Sequence, residues 1–296
     1  DVKWHDGRPF TSADVKCTFD GLAGRRDMGW RKNFRGGWWF NLKDTTINGD
    51  YEATFHLARP QPSFLMMLAS NATPVYPCHV SGRDMRQKPI GTGPFKLAEW
   101  RQREFVSMTR FDQYANLGGA PDGYVGSKRP LVDEVRFLVI SDPATAKAAF
   151  ARGDIDIMTK LSYSEANELK ANPNVTISVQ PGLSSTTFIL QTRDKLLSNV
   201  KLRQAIAAAI NQEELVCSVT YDLTTPNNSV VPVSSPFHGA VQKKGFQHDP
   251  ARVKKLLQEA GYKGETLKII TNKRNQANFD TAIVLQSMLQ SAGIKA

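Results

Sequence analysis

The sequence predicts an α/β chain that opens with a mixed α+β module, and three observations carry that prediction. Short β-type segments around tight-turn dipeptides fill the first third of the chain. From Val132 onward, strand-like and helix-like segments alternate. The chain has 296 residues, of which 41% are apolar and 22% charged, which suits one large or two smaller folded domains and is too apolar for disorder.

The first segment reads as strand, turn, helix. Val2–His5 is β-type and Asp6-Gly7 a turn dipeptide. Thr11 stands three residues before Asp14, the spacing of a capping box, and predicts a helix to about Leu22, before Gly24. Asp6 and Asp14 thus have structural roles available, which weighs against a catalytic carboxylate pair. Thr45–Ile47, Asn48-Gly49-Asp50 and Tyr51–Leu57 read as a hairpin with its turn at Asn-Gly. Phe64–Leu68 reads as a short buried helix after Pro60 and Pro62. Gly91-Thr92-Gly93-Pro94 is a sharp turn into the strand Lys96–Trp100, with Phe105–Arg110 as its antiparallel partner. A phosphate cradle would need a helix there, so the glycines do not read as a nucleotide site.

Val135–Ile140 reads as a strand; Asp142 then caps a helix with Pro143 at its first position and Gly153 past its end. Ile155–Met158 is the next expected strand and Ser162–Ala171 the next helix. Val175–Val179 and Thr186–Leu190 are expected strands around Pro181-Gly182. Asn199 begins a helix with Leu202, Ile206 and Ile210 four apart, its far side carrying Arg203 and Gln204 as solvated or hinge-pairing residues. After the polar loop 224–247, Asp249-Pro250 opens a helix to Ala260, and Leu267–Ile270 reads as a strand. Phe279, Ala282, Leu285, Met288 and Leu289 then line one helical face. Because Gly293–Ala296 stands where the return strand of a βαβ unit begins, both ends look cut and that apolar stripe is expected to be under-covered.

The net charge of +10 is compatible with nucleic acid, anionic surfaces or acidic ligands and does not choose among them. Cys17, Cys78 and Cys217 show no metal-ligand spacing and allow one disulfide of unspecified pairing. The five histidines form no HxxxH or HExxH pattern. No run approaches the roughly 18 apolar residues of a membrane helix, and no basic-then-apolar opening reads as a signal peptide. There is no Gly-x-Ser-x-Gly elbow and no Walker lysine, so an enzyme has little support.

Five segments occur in an order that resembles a known family: "DVKWHDGRPFTSADV" at the start, "IGTGPFKLAEW" at 90–100, "RPLVDEVRFLVISDPATAKAAFARGDIDIM" at 129–158, "NVKLRQAIAAAINQEELV" at 199–216 and "HDPARVKKLLQEAGYKG" at 248–264. Together they resemble the family 5 extracellular solute-binding proteins, the peptide, nickel and opine receptors of ABC importers. The resemblance implies a two-lobed, periplasmic-binding-protein-like type II architecture with an incomplete second lobe. Residues 1–90 would be an extra α/β subdomain of the first lobe, 91–215 the first-lobe α/β core, and 216–296 the start of the second lobe. It implies capture of a small-molecule or peptide ligand, oligopeptide-like above all, and delivery to the permease subunits of an ABC transporter. The location would be periplasmic or extracellular, with a lipid anchor an option in the full-length protein. The expectation is a monomer without enzymatic activity, cofactor, metal or nucleic-acid partner.

The candidate ligand residues are Trp38 and Trp39, which follow two glycines that let a backbone approach a ligand, Thr187 and Gln191 on the strand 186–191, and Tyr221 and Ser229 in the loop beyond 220. For the two indoles, plugging a junction between subdomain and lobe is the competing role. Three departures stand out against the family pattern: Gln191 replaces a usual Asn, Leu196-Leu197 a proline-containing stretch, and Asn211-Gln212 a usual Asp-Arg. The alternatives are a basic nucleic-acid binder, resting on Arg25, Arg26, Arg31, Lys32 and Arg35 beside Trp30 and Phe34, or the ligand-sensing domain of a regulator.

Overall fold

The structure, a computed structural model, describes residues 1–29, 36–122, 125–159, 161–180 and 186–296. Packing divides the chain into two units, Asp1–Ala149 and Phe150–Ala296. The lobe limits near 90 and 215 remain a proposal from the resemblance.

The first unit begins with α1 (Ser12–Leu22), where the sequence places it. The Asp14 carboxylate accepts the Thr11 backbone N–H at 3.1 Å, the return bond of a capping box. The same carboxylate takes the Trp4 indole N–H at 3.1 Å and the Cys78 N–H at 3.0 Å. One buried acid therefore ties the N-terminal segment, α1 and the segment at Cys78 together, and it is structural. Cys17, on α1, forms a disulfide with Cys78 across a Cα separation of 6.2 Å, inside the usual range.

A 3₁₀ turn (Gly36–Trp39) leads into β1 (Leu42–Gly49), antiparallel to β2 (Glu52–Leu57). The hairpin is as expected but its turn lies at Asp50-Tyr51, two residues later than the Asn-Gly signal suggests. Two contacts account for the shift. Asn48 bonds across the strands, to Thr54 Oγ1 at 2.7 Å and Glu52 at 3.1 Å, and Ser12 N–H holds the Asp50 carbonyl at 2.8 Å. Helices α2 (Phe64–Leu68) and α3 (Gly82–Gln87) follow. The core of this unit is aromatic: Phe19 meets Trp39 at 5.0 Å and Phe55 at 4.8 Å, all edge-on, with Leu42, Phe64 and Met67 around them.

Strands β3 (Phe95–Arg101), β4 (Phe105–Arg110) and, after the short pair β5 (Pro121–Asp122) and β6 (Val125–Gly126), β7 (Glu134–Leu138) form the order β3-β4-β7, all antiparallel. Phe105 pairs Arg101 on one side and Leu138 on the other. His5 clasps the turn before β3. Its Nδ1 accepts the Gly91 N–H at 3.1 Å, which leaves Nε2 protonated to donate to the Gly93 carbonyl at 3.1 Å. The helix α4 (Pro143–Arg152) is started by Asp142, whose carboxylate takes the Thr145 N–H at 2.8 Å, and ends at Gly153 with φ 82.

The second unit is helical. It contains α5 (Tyr163–Leu169), α6 (Val200–Ala209), α7 (Gln212–Thr220), α8 (Ala240–Lys244), α9 (Pro250–Ala260) and α10 (Gln276–Ser291). Alanines 205, 208 and 209 let α6 and α9 approach closely, burying Leu202, Ile206, Val253 and Leu256. Asn199 Nδ2 donates to the Ala260 carbonyl at 2.9 Å, joining the start of α6 to the end of α9, and Gly261 ends α9 in the left-handed region at φ 63. Arg203 donates to the carbonyls of Leu197 and Ser198 at 2.7 and 2.9 Å, so it braces the entry to α6.

Four expected strands are corrected. Ile155–Met158, Val175–Val179, Thr186–Leu190 and Leu267–Ile270 are not ladder strands among the described residues. Alternation specifies an extended chain, but a strand also needs a neighbour with free backbone groups. Leu267 comes nearest, its N–H donating to the Lys295 carbonyl at 2.8 Å. The stripe on α10 is also corrected: Ala282, Leu285 and Leu289 are buried and Phe279 and Met288 half-buried. The element that covers much of it is α7, which the periodicity alone did not separate from α6. Ile294, fully buried against Leu289 and Leu267, completes the cover.

Candidate functional site

Within the second unit, a cavity of about 380 Å³ lies among three helix ends. The start of α5 contributes Ser162, Tyr163 and Ser164; the end of α7 contributes Ser218, Val219 and Tyr221; the start of α10 contributes Gln276, Ala277, Asp280 and Val284. Its volume falls at the low end of small-molecule sites.

The three helices that carry the walls each begin at a side-chain cap. Ser162 caps α5: its Oγ donates to Glu165 Oε2 at 2.6 Å while its own N–H donates to the same carboxylate at 2.9 Å. Asn211 caps α7 by accepting the Glu214 N–H at 3.2 Å, so the departure from Asp at this position keeps the capping function. Leu196 and Leu197 pack against the core of this unit, which gives that second departure a packing role. Asn275 caps α10.

Tyr221 ends α7 with φ 51, ψ 42, and Asp222 follows at φ 59. Two consecutive non-glycine residues in the left-handed region cost about 1–2 kcal/mol each, the kind of strain that structures retain at working sites. The chain reverses there and leaves Tyr221 on the cavity wall, 44% exposed.

Among the described residues, the lining of the cavity has one carboxylate, Asp280, and no basic side chain. Gln276 Nε2 donates to Asp280 Oδ1 at 2.8 Å. The hydroxyls of Tyr163, Ser218 and Tyr221 have no hydrogen-bond partner among the described residues. The arrangement offers a carboxylate oxygen, three hydroxyls and two aromatic rings to a small polar molecule. It holds no nucleophile–base pair, and no cluster of three or more His, Cys, Asp or Glu suited to a metal occurs among the described residues. A second depression of about 440 Å³, beside α9 and Gly293, carries Lys254 as its charged group and fewer converging polar side chains.

Of the six residues expected from sequence, Tyr221 lines this cavity and the other five do not. Trp39 is 1% exposed, enclosed by Phe19 and Phe64 in the core of the first unit, where it packs. Trp38 is half-buried against the same core. Thr187 and Gln191 are exposed, and Gln191 accepts the Arg193 N–H at 3.3 Å. Ser229 is half-buried and serves its own loop, its Oγ accepting the Val231 N–H at 3.1 Å. Ser162, Tyr163, Gln276 and Asp280 were missed. Helix-start signals mark both segments, but nothing local shows that residues 162 and 280 line one cavity. In the basic cluster, Arg25 is bound to Asp20 at 2.7 Å and to the Leu42 carbonyl at 2.9 Å. Trp30, Arg31, Lys32, Phe34 and Arg35 lie outside the described residues, as does the turn Pro181-Gly182.

Comparison with solved structures defines the class. The ABC transporter substrate-binding protein CtaP of Listeria monocytogenes superposes with a TM-score of 0.80 at 22% identity, covering 99% of this chain and 59% of that one. NikA from Brucella suis, in complex with Fe(III)-EDTA, gives 0.78 at 22% identity, over 100% and 60%. The fold is therefore that of periplasmic binding proteins, as the sequence resemblance implies. The family pattern of bacterial extracellular solute-binding proteins, family 5 middle, matches residues 1–296, and the chain belongs to that family. Among curated relatives, the oligopeptide-binding protein AppA of Bacillus subtilis is 29% identical over 320 residues, covering 99% of this chain and 55% of AppA. The glutathione-binding protein GsiB of Salmonella paratyphi A is 27% identical over 299 residues, covering 100% of this chain and 55% of GsiB. The chain thus spans about half the length of these relatives. No helix among the described residues is long and apolar enough to cross a membrane.

Proposed function

We propose that this chain is part of the substrate-binding component of an ABC importer, which captures a small polar solute outside the cytoplasmic membrane and delivers it to the permease subunits. The observation that carries the reading is the family match over the whole chain. A peptide-like solute is the favoured ligand, because the relatives named for their ligands include an oligopeptide-binding and a glutathione-binding protein. The cavity beside Tyr221 supports a binding role, offering donors, acceptors and ring faces without a catalytic constellation. Thr187, Gln191 and Ser229 stand as further candidate contacts, behind Tyr221. The protein acts as a monomer, without cofactor or chemical turnover. The Cys17–Cys78 disulfide suits an oxidising, extracytoplasmic location.

The test is thermal unfolding of the full-length protein against a library of short peptides, opines and sugars. A solute at a hundred times its Kd stabilises the native state by about 2.7 kcal/mol. Stabilisation by peptides is expected; stabilisation by none of the library, together with hydrolytic activity, overturns the reading.

A further inference from the structure

We propose that the Cys17–Cys78 bridge is a site of reversible S-thiolation, at which a small thiol joins Cys78 and Cys17 departs as a thiolate. The site lies in the first unit and does not depend on where the solute binds.

The two sulfurs of the bridge are not equivalent. Cys17, on α1, is 5% exposed, whereas Cys78 is half-buried. Around the Cys17 sulfur stand Met28 Sδ at 3.8 Å and the Arg26 guanidinium, whose Nη1 donates to Sγ at 3.4 Å. Among the described residues Arg26 has no carboxylate partner, because Asp20 is taken by Arg25 and Lys16. On the other side, the Cys78 backbone N–H is held by the Asp14 carboxylate at 3.0 Å, an anion that does not favour a second negative charge beside it. Thiol–disulfide exchange runs fastest where the attacked sulfur is accessible and the departing one is stabilised as a thiolate. Both conditions select the same course: attack at Cys78, departure of Cys17 beside a cation.

The step balances without an outside oxidant or reductant. The incoming thiol releases its proton to solvent, and its sulfur bonds to Cys78 Sγ. The Cys17–Cys78 bond breaks, and its electron pair stays on Cys17 Sγ. One disulfide replaces another. Bonds outside the bridge keep the two residues adjacent afterwards. Asp14 still holds the Cys78 N–H, and Thr18, next to Cys17 on α1, accepts the Tyr76 N–H on its Oγ1 at 2.9 Å. The Cys17 thiolate is thus placed to attack the mixed disulfide and restore the bridge, which makes the modification reversible.

The experiment treats the folded full-length protein with 2-mercaptoethanol at mildly alkaline pH, traps free thiols with iodoacetamide at short times and maps both cysteines by peptide mass spectrometry. Arg26→Gln and Arg26→Lys are run beside wild type, with melting curves as folding controls. The first product is expected to carry 2-mercaptoethanol on Cys78 and the alkyl label on Cys17. Arg26→Gln is expected to slow opening by at least about threefold, and Arg26→Lys, which keeps the charge, to stay within about twofold of wild type. An adduct on Cys17 in equal or greater amount overturns the proposal, as does a bridge that opens only after unfolding in urea. Arg26→Gln that melts with wild type and opens at the wild-type rate overturns it as well. Should Arg26→Gln be destabilised, the ratio of the two adducts in wild type decides.

Discussion

Replacing Asp14 by Asn removes one negative charge and one acceptor from the tightest polar knot in the first unit. Three donors converge on the carboxylate: the Trp4 indole N–H and the Thr11 N–H on Oδ2, and the Cys78 N–H on Oδ1. Asp14 is 6% exposed and Trp4 2%, so solvent replaces none of these bonds. An amide has one oxygen, and its better orientation keeps the two bonds at Oδ2 while turning an NH₂ toward the Cys78 N–H. Losing an acceptor from a buried donor costs about 1–3 kcal/mol. The two remaining bonds lose their charge assistance, and the first turn of α1 loses an anion worth about 0.3–1 kcal/mol. The sum is about 3 kcal/mol, which lowers the melting temperature by about 6–12 °C for a unit of this size. Urea unfolding followed by tryptophan fluorescence measures it directly, since Trp4 sits at the knot. Asp6→Asn is the control: Asp6 is partly exposed and pairs with His79 at 2.7 Å, and its loss is expected to cost about 1 kcal/mol or less. If Asp14→Asn costs no more than Asp6→Asn, Asp14 is not the buried tie described above.

Two other outcomes follow from the same unit. Burial, with Lys96 nearby, holds the His5 pKa below the usual 6.5, against the opposing pull of the Gly93 carbonyl and Asp6. Between the folded pKa and 6.5 the unfolded chain therefore binds more protons. The His5 contribution is complete above pH 6.5 and is lost as pH falls through that window; melting temperatures measured across it are expected to fall less steeply in His5→Asn, and an unchanged slope contradicts the clasp. The Cys17–Cys78 bridge closes a sequence separation of 61, worth about 4 kcal/mol of chain entropy. Cys17→Ser with Cys78→Ser is expected to lose most of that in equilibrium unfolding, whereas Cys217→Ser, at an exposed free thiol, is expected to be neutral; the reverse order would refute the pairing.

Local chemistry was legible where one short segment settles the structure. Thr11 to Asp14, Asp142-Pro143, Asn199 and Asp249-Pro250 mark helix starts that the structure keeps, because capping depends on residues within one turn. The resemblance identified the family. The break between α6 and α7 was hidden, because Ile210 continues the four-residue apolar spacing even though its ψ of 115 is extended, and the restart at Asn211 rests on a single cap. The expectation of an under-covered stripe on α10 came from the return strand looked for at Gly293–Ala296, whereas α7 and Ile294 cover much of it. Trp39 followed two glycines that suggested access to a ligand, yet Phe19 and Phe64, distant in sequence, close over it. Asp280 and Ser162 share a cavity only because α7 packs against both α5 and α10, a long-range fact that no spacing records.

The central claim is reversible capture without turnover, and one measurement addresses it most directly. The full-length protein is incubated with a peptide mixture and separated from unbound peptide, and the bound fraction is then released by denaturation and weighed by mass spectrometry. The account predicts peptide recovered intact, at no more than one per chain. Recovery of cleaved or modified peptide, or of no peptide or other small solute at all, would contradict it.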